Sequence, residues 1–242
     1  MTVETGGNGS RGGTSLVAAI VGGLVGAGAV VGLLLGAPQL VGTKLVRSAL
    51  MAHPEMLIEV GDSLRDRQYA PTLAAWRSRI ETPFYSSWEG ATKPDVTLTY
   101  FYDYACGYCR RSNPDIARLL SEDKGLRVVY RELPILGPNS LAAAKVSLAA
   151  AKAGRFAAFH DALFGTDSPS EANIAAAAAK VGVSPAADSI TPDEDAELRQ
   201  NFEFARAVSA TGTPLFVVGN RVINAAVGYD GLKAAIAAAR KG

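Results

Sequence analysis

The pattern of apolar and polar positions divides the chain into a tail, an apolar block, a helical segment and a folded region. Residues 1–14, MTVETGGNGSRGGT, are polar and glycine-rich and are expected to form a disordered tail. Residues 15–37, SLVAAIVGGLVGAGAVVGLLLGA, run without a charge. A helix rising about 1.5 Å per residue over that length crosses a bilayer core of about 30 Å. A cleaved signal peptide has a shorter apolar stretch, roughly 7–15 residues, ending in a small-x-small site. GAPQLVG is a poor site of that kind, so an uncleaved signal anchor is expected. Gly22 and Gly26, then Gly28, Gly32 and Gly36, recur at four-residue spacing. That spacing lets helices approach closely, and glycine is also simply common in membrane helices.

Residues 44–80 read as helical. Pro54 suits a first helical position with His53 just outside it. Leu57, Val60 and Leu64 follow at helical spacing, and Leu73, Trp76 and Ile80 repeat the stripe after Pro71. Pro54, Gly61 and Pro71 break the segment too often for a sustained coiled coil. It is either an oligomerisation stalk or a helix packed on its own domain. His53, beside a proline, is read as a local cap.

From residue 92 onward the periods alternate. DVTLTYFYDY (Asp95–Tyr104) is β-branched and aromatic and predicts a strand. CGYCRRSNPDIARLLSE follows with Ile116, Leu119 and Leu120 at helical spacing. LRVVYRELPIL (Leu126–Leu136) predicts a second strand. NSLAAAKVSLAAAKAGRFAAFHDALFG has continuous helix-forming composition. A second helix is expected from Ser170 to a stop at Gly182, and a third after Thr191, with Pro192 and Glu194 completing a capping box. His160 falls among apolar neighbours in FAAFHDALF and is read as a partly buried helix histidine. LFVV and RVIN flank Gly219–Asn220 as a hairpin, and DGLKAAIAAARKG closes as an amphipathic helix.

Charge adds little. The net charge of +1, with 19% charged residues, leaves no footprint for nucleic acid. Arg11 precedes the apolar block while Lys44 and Arg47 follow it, which mildly favours a cytoplasmic C-terminus. The thiol chemistry favours the opposite side.

That chemistry lies in DYACGYCRRSNPD, which holds both cysteines of the chain, Cys106 and Cys109. Two cysteines cannot staple a scaffold. A zinc site is poorly supplied too, because only His53 and His160 could join them and they lack zinc-ligand grouping. A disulfide closing so short a loop removes little chain entropy, so redox function is favoured over a staple. Cys106 falls at the start of a helix, where unpaired N–H groups and the helix dipole favour a thiolate. Arg110 and Arg111 add positive charge nearby. Cys109 lies one turn on, within disulfide reach, and is expected to be the more buried.

FYDYACGYC at a strand–helix junction, with TGTP before a later strand, resembles the DsbA-like thiol-disulfide oxidoreductases, a thioredoxin-fold family. HPEMLIEVGDSLRDRQ ahead of the cysteines is similar to the ScsC-type (suppressor of copper sensitivity) branch and related membrane-anchored members. The resemblance implies an α/β thioredoxin-like domain over residues 92–242, with a helical insertion over about 138–210. A helical stalk and one transmembrane helix would precede it. It implies Cys106 as the nucleophile, Cys109 as the resolving thiol, and Gly107 and Tyr108 as tuners of redox potential. Thr213-Pro214 would form a cis peptide facing the cysteines and help bind substrate; proline tolerates cis far better than other residues. Many relatives carry a buried acid on the strand before the cysteines, where Tyr100 stands here. Glu132 is a candidate substitute.

The expected activity is disulfide exchange with cysteine-containing substrate proteins, as oxidase or as isomerase and reductase, with no cofactor. A membrane partner, DsbB-like or DsbD/ScsB-like, would recycle the cysteines, and the chain could form a homo-oligomer. The expected location is the bacterial inner membrane, single-pass, with the catalytic domain in the periplasm. The alternative is an envelope copper(I) chaperone using both thiolates as soft ligands. None of the three methionines lies near the pair.

Overall fold

The computed structural model describes residues 2, 38–184 and 190–241. The expected tail and signal anchor therefore lie, apart from Thr2, outside the described residues. Among the described residues no helix is long and apolar enough to cross a membrane. The chain divides into a unit ending at Gly61 and a larger unit, Asp62–Gly242.

Helix α1 (Pro38–Ala52) precedes α2 (Glu55–Glu81). The break falls at His53–Pro54, where proline supplies no N–H to continue a helix. His53 acts locally: its carbonyl accepts the Met56 N–H at 3.1 Å, and its ring nitrogen Nδ1 lies 3.0 Å from Glu55 Oε1. Leu45, Met51, Leu57, Ile58 and Val60 are exposed.

Helix α2 continues through Gly61 and Pro71, residues expected to interrupt it. Pro71 forfeits one helical hydrogen bond, but Leu73 and Ile80 beyond it are buried. They pack with Phe101, Phe204, Leu215 and Val217, with Tyr69 and Trp76 partly buried against them. Tertiary burial of one face outweighs the local penalty. Leu64 stays exposed. The two apolar stripes of this segment thus differ: Leu73 and Ile80 belong to the domain core, while Leu57, Val60 and Leu64 face solvent.

The larger unit is built on a five-stranded sheet ordered β1-β3-β2-β4-β5. Strand β2 (Val96–Tyr102) pairs in parallel with β3 (Leu126–Glu132), from Val96 opposite Leu126 to Tyr102 opposite Glu132. On its other side β2 pairs antiparallel with β4 (Leu215–Val218), which turns through Gly219–Asn220 into β5 (Arg221–Ile223). Gly219 sits at φ 56°, a left-handed turn conformation that glycine adopts readily. Strand β1 (Trp88–Gly90) pairs antiparallel with β3 and carries too few residues to show a period in sequence.

Because β2 is covered on both faces, it reads as a continuous apolar and aromatic run. Leu98, Tyr100 and Tyr102 face one core with Tyr130 and Phe216. Phe101 points the other way, to Leu73 and Ile80 of α2 and to Phe204.

Helix α3 (Gly107–Glu122) follows β2. Between β3 and β4 the described residues hold four helices rather than the expected three. The long helical stretch splits into α4 (Pro138–Lys152) and α5 (Phe156–Phe164). Gly154, at φ 72°, marks the break. Helix α6 (Glu171–Val181) is capped by Ser170, whose hydroxyl accepts the Asn173 N–H, and stops at Gly182 with φ 66°. Helix α7 (Pro192–Ala207) opens with the Thr191 N–H donating to Glu194 at 2.8 Å. Helix α8 (Gly228–Ala239) closes the chain.

One buried side chain ties these layers together. Arg131 on β3 is 1% exposed and donates to Glu197 on α7, to the Ile80 carbonyl at 3.1 Å, and to the carbonyls of Arg79 and Thr82. It caps the C-terminal end of α2, where helix carbonyls lack intrahelical partners.

Candidate functional site

Cys106 is the N-cap of α3, with extended backbone at φ −79°, ψ 113°. That is the ordinary N-cap conformation, with the sulfur placed where a serine oxygen would cap a helix. Cys106 Sγ accepts the backbone N–H of Cys109 at 3.3 Å. Across the site it lies 3.2 Å from the Thr213 carbonyl, to which the thiol donates. Thr213–Pro214 is a cis peptide. Both cysteines are free, and Cys109 is fully buried while Cys106 is 6% exposed.

The two thiols have opposite acidities. The Cys109 thiol hydrogen bond to Cys106 is the largest influence holding Cys106 down at about 5; burial opposes it, and Thr213 and the N–H groups of Cys109 and Tyr108 reinforce it. The Thr213 hydroxyl is buried without an ordinary hydrogen-bond partner. It nonetheless lies close enough to both sulfurs to favour their ionised forms. Burial, followed by the bond to Cys106, pushes the Cys109 thiol well above its usual range. At neutral pH one sulfur is a thiolate and its neighbour holds a proton. The Cys109 thiol is the main donor to that thiolate, and the N–H groups at the helix N-terminus add to it.

Neither arginine is among the main influences on the Cys106 thiol. Arg110 turns away and donates to the carbonyls of Phe164, Thr166 and Asp167, capping the end of α5. Arg111 lies 4.3 Å from the centre of the Tyr108 ring. Tyr108 is exposed. A Cβ on Gly107 would meet only Arg111 Nη1, at 3.8 Å, so the turn does not require glycine sterically.

Tyr100, where relatives carry a buried acid, is fully buried and donates its hydroxyl to the Cys109 carbonyl at 3.2 Å. Its ring stacks on Phe216. Glu132 does not replace that acid. Its carboxylate accepts from the Tyr102 hydroxyl. Burial raises its pKa to about 8, with Ser147, Tyr102, Asp103 and Glu197 as further influences and no cysteine among them. Tyr104 continues this buried polar group to Ser147 at 2.9 Å. His160 is buried against the rings of Tyr102, Tyr104, Tyr130, Phe156 and Phe164.

Sequence reasoning overlooked Asp103. It is 1% exposed, and its carboxylate accepts the N–H groups of Ala105, Ile135 and Leu136. An acid at the end of an apolar strand, three residues before the first cysteine, was the available signal.

Residues 97–237 match the model of the DSBA-like thioredoxin domain. A thioredoxin-like oxidoreductase from Silicibacter pomeroyi DSS-3 superposes with a TM-score of 0.61 at 36% identity, over 64% of this chain and 92% of that one. The catalytic domain of Proteus mirabilis ScsC gives a TM-score of 0.66 at 26% identity, over 72% and 99%. The Na(+)/H(+) antiporter NhaA 3 of Salinispora tropica is 27% identical over 156 residues. This chain spans 24% of that antiporter's length, and the match covers 62% of the chain.

Proposed function

Since the chain belongs to the DSBA-like thioredoxin domain family, we propose that it is a thiol-disulfide oxidoreductase that passes the Cys106–Cys109 disulfide to cysteine-containing proteins. The observation that carries this reading is the pairing of a Cys106 held at about 5 with a Cys109 pushed up by burial. A low-pKa thiolate lowers the energy of the reduced form and is the better leaving group, so the disulfide is the oxidant.

In this cycle a substrate thiolate attacks Cys106 Sγ, and the Cys106–Cys109 bond breaks. A mixed disulfide forms, and Cys109 leaves and takes a proton. A second substrate thiolate then attacks the substrate sulfur of that mixed disulfide and releases Cys106 as thiolate. The substrate loses two electrons and the protein gains them. Tyr108 and the Thr213–Pro214 turn flank the reacting sulfur and would contact the substrate.

The wider setting follows from the same chemistry. A disulfide donor works in an oxidising compartment, so the catalytic domain is assigned to the periplasm, anchored by residues 15–37. A DsbB-like membrane partner would reoxidise it. The exposed Leu57, Val60 and Leu64 stripe supports self-association through α2.

Equilibration of the full chain with glutathione, read by alkylation, tests the direction. A potential near DsbA, around −120 mV, is expected; one near thioredoxin, around −270 mV, would sink the oxidase reading. Tight copper(I) binding by Cys106 and Cys109 without exchange would favour the chaperone alternative.

A further inference from the structure

We propose that Asp103 is a positioning residue: its carboxylate ties the turn that carries Cys106 to the loop leaving β3, holds the Cys106 sulfur on the Cys109 N–H, and so makes the Cys106–Cys109 disulfide the stronger oxidant. The inference deepens the exchange reading above and rests on it.

The chain reverses from strand to helix between Tyr102 and Gly107, and Asp103 braces that turn twice. Its carbonyl accepts the Cys106 N–H at 3.0 Å, and its Oδ1 accepts the Ala105 N–H at 2.8 Å. A side-chain oxygen that takes the N–H two residues on forms an Asx turn, which aspartate adopts readily. The braced segment ends at Cys106, the N-cap of α3, with ψ at 113°. From that backbone the sulfur reaches the Cys109 N–H at 3.3 Å.

The other carboxylate oxygen fixes the turn to its neighbour. The parallel pairing of β2 and β3 closes where the Leu133 N–H donates to the Tyr102 carbonyl at 2.8 Å. Beyond that point the two chains separate, and the backbone N–H groups need other acceptors. Oδ2 takes two of them, from Ile135 at 2.8 Å and Leu136 at 2.9 Å. The carboxylate thus extends the strand pairing by one step, through a side chain. Asp103 is 1% exposed, a costly place for a carboxylate unless its oxygens are bonded.

The role is one of position and not of charge. The main influences on the Cys106 thiol are Cys109, burial, Thr213 and Tyr108, and the Asp103 carboxylate is not among them. A relaxed turn moves the sulfur off the N–H groups at the helix start, and the thiolate loses their support. The reduced form then rises in energy, and the disulfide becomes the weaker oxidant.

Asparagine matches the shape of Asp103 but not its bonding. An amide has one acceptor oxygen, and its NH2 would face an N–H on one side of the tie. Alanine removes both sides.

The test uses the full chain, with two readings on each variant. One is the equilibrium constant with glutathione, read by alkylation; the other is the thiolate absorbance midpoint of the reduced protein. Asp103→Ala should make the disulfide less oxidising by about tenfold, the weight of one hydrogen bond to a charged group, which is about 30 mV. The Cys106 midpoint should rise with it by about one unit. Asp103→Asn, the milder change, should move both in the same direction by about threefold. Leu73→Ala serves as the control, because it opens a cavity in the core that does not hold the cysteines. It should lower the melting temperature and leave both readings at wild-type values. Asp103 variants with wild-type readings would overturn the positioning role. So would a midpoint that rises while the equilibrium constant stays, or equal shifts in Leu73→Ala. Wild-type protein that exchanges with neither glutathione nor a dithiol peptide would overturn the exchange reading itself.

Discussion

The sulfur of Cys106 lies 3.2 Å from the carbonyl oxygen of Thr213, a residue 107 positions later in the chain. The contact closes the site: the N-cap of α3 meets the cis peptide before β4 across the edge of the sheet. A thiol can donate to that carbonyl and a thiolate cannot, so the bond belongs to the protonated form. The low pKa of Cys106 is achieved against this bond and against burial, with Cys109 as its main support.

Removing that support should raise the pKa of Cys106. Thiolate absorbance of the reduced protein should titrate near pH 5. Cys109→Ala should shift the midpoint upward by about one to two units, the value of a lost charge-assisted hydrogen bond. Cys109→Ser, which keeps a donor, should shift it less. Equal shifts in the two variants would show that the donor is not the cause.

Gly107→Pro should fold and gain stability. Position 107 is the first of α3, where proline's missing N–H is least costly. Cys106, at ψ 113°, already has the extended backbone that precedes proline. A gain of about 0.4–1 kcal/mol from the restricted unfolded chain is expected in denaturant titrations. A loss would mean that the Gly107 backbone makes a contact the proline ring breaks.

Arg131→Met should destabilise the fold by about 3–5 kcal/mol, because it leaves Glu197 buried without its partner and the end of α2 uncapped. Arg131→Met/Glu197→Leu should recover part of this, since the unpaired charge is removed. No recovery would place the whole effect on the carbonyls of α2.

Glu132 and Cys106 should bend the pH–stability curve in opposite directions. The Glu132 pKa is raised to about 8 from an ordinary 4.5, so the folded state binds the extra proton. Its contribution is fully present below pH 4.5 and is lost up to about pH 8, by up to about 1.4 kcal/mol per unit. Cys106 is lowered, so its contribution is present above its unfolded pKa of about 8.5 and is lost as pH falls through about 5. The oxidised protein isolates Glu132. Its stability should decline from pH 5 to 8, and Glu132→Gln should flatten the slope. An unchanged slope in that variant would assign it to another group.

Much of the fold was legible because its signals are local. The apolar run of β2, the Ser170 and Thr191 starts, the Gly182 stop and the hairpin at Gly219–Asn220 each depend on a few neighbouring residues. The longer helices were less legible. Pro71 was expected to break α2, but burial of Leu73 and Ile80 carries the helix through it. Gly154 splits a stretch whose composition favoured one helix.

The sequence by itself determined that the chain's two thiols sit one helical turn apart, the spacing of a reversible disulfide at a helix start. It also determined that Thr213-Pro214 precedes a strand. Tertiary structure decided which groups act on those thiols. Arg110, adjacent to Cys109 in sequence, spends its donors on the end of α5, while Thr213 arrives from the far end of the chain. It also decided that Asp103 joins two loops, and that Glu132 bonds to Tyr102 rather than to a cysteine. The reason is physical: residue spacing fixes helix and strand periodicity, but a buried polar group takes whichever partner the packing brings within hydrogen-bond reach.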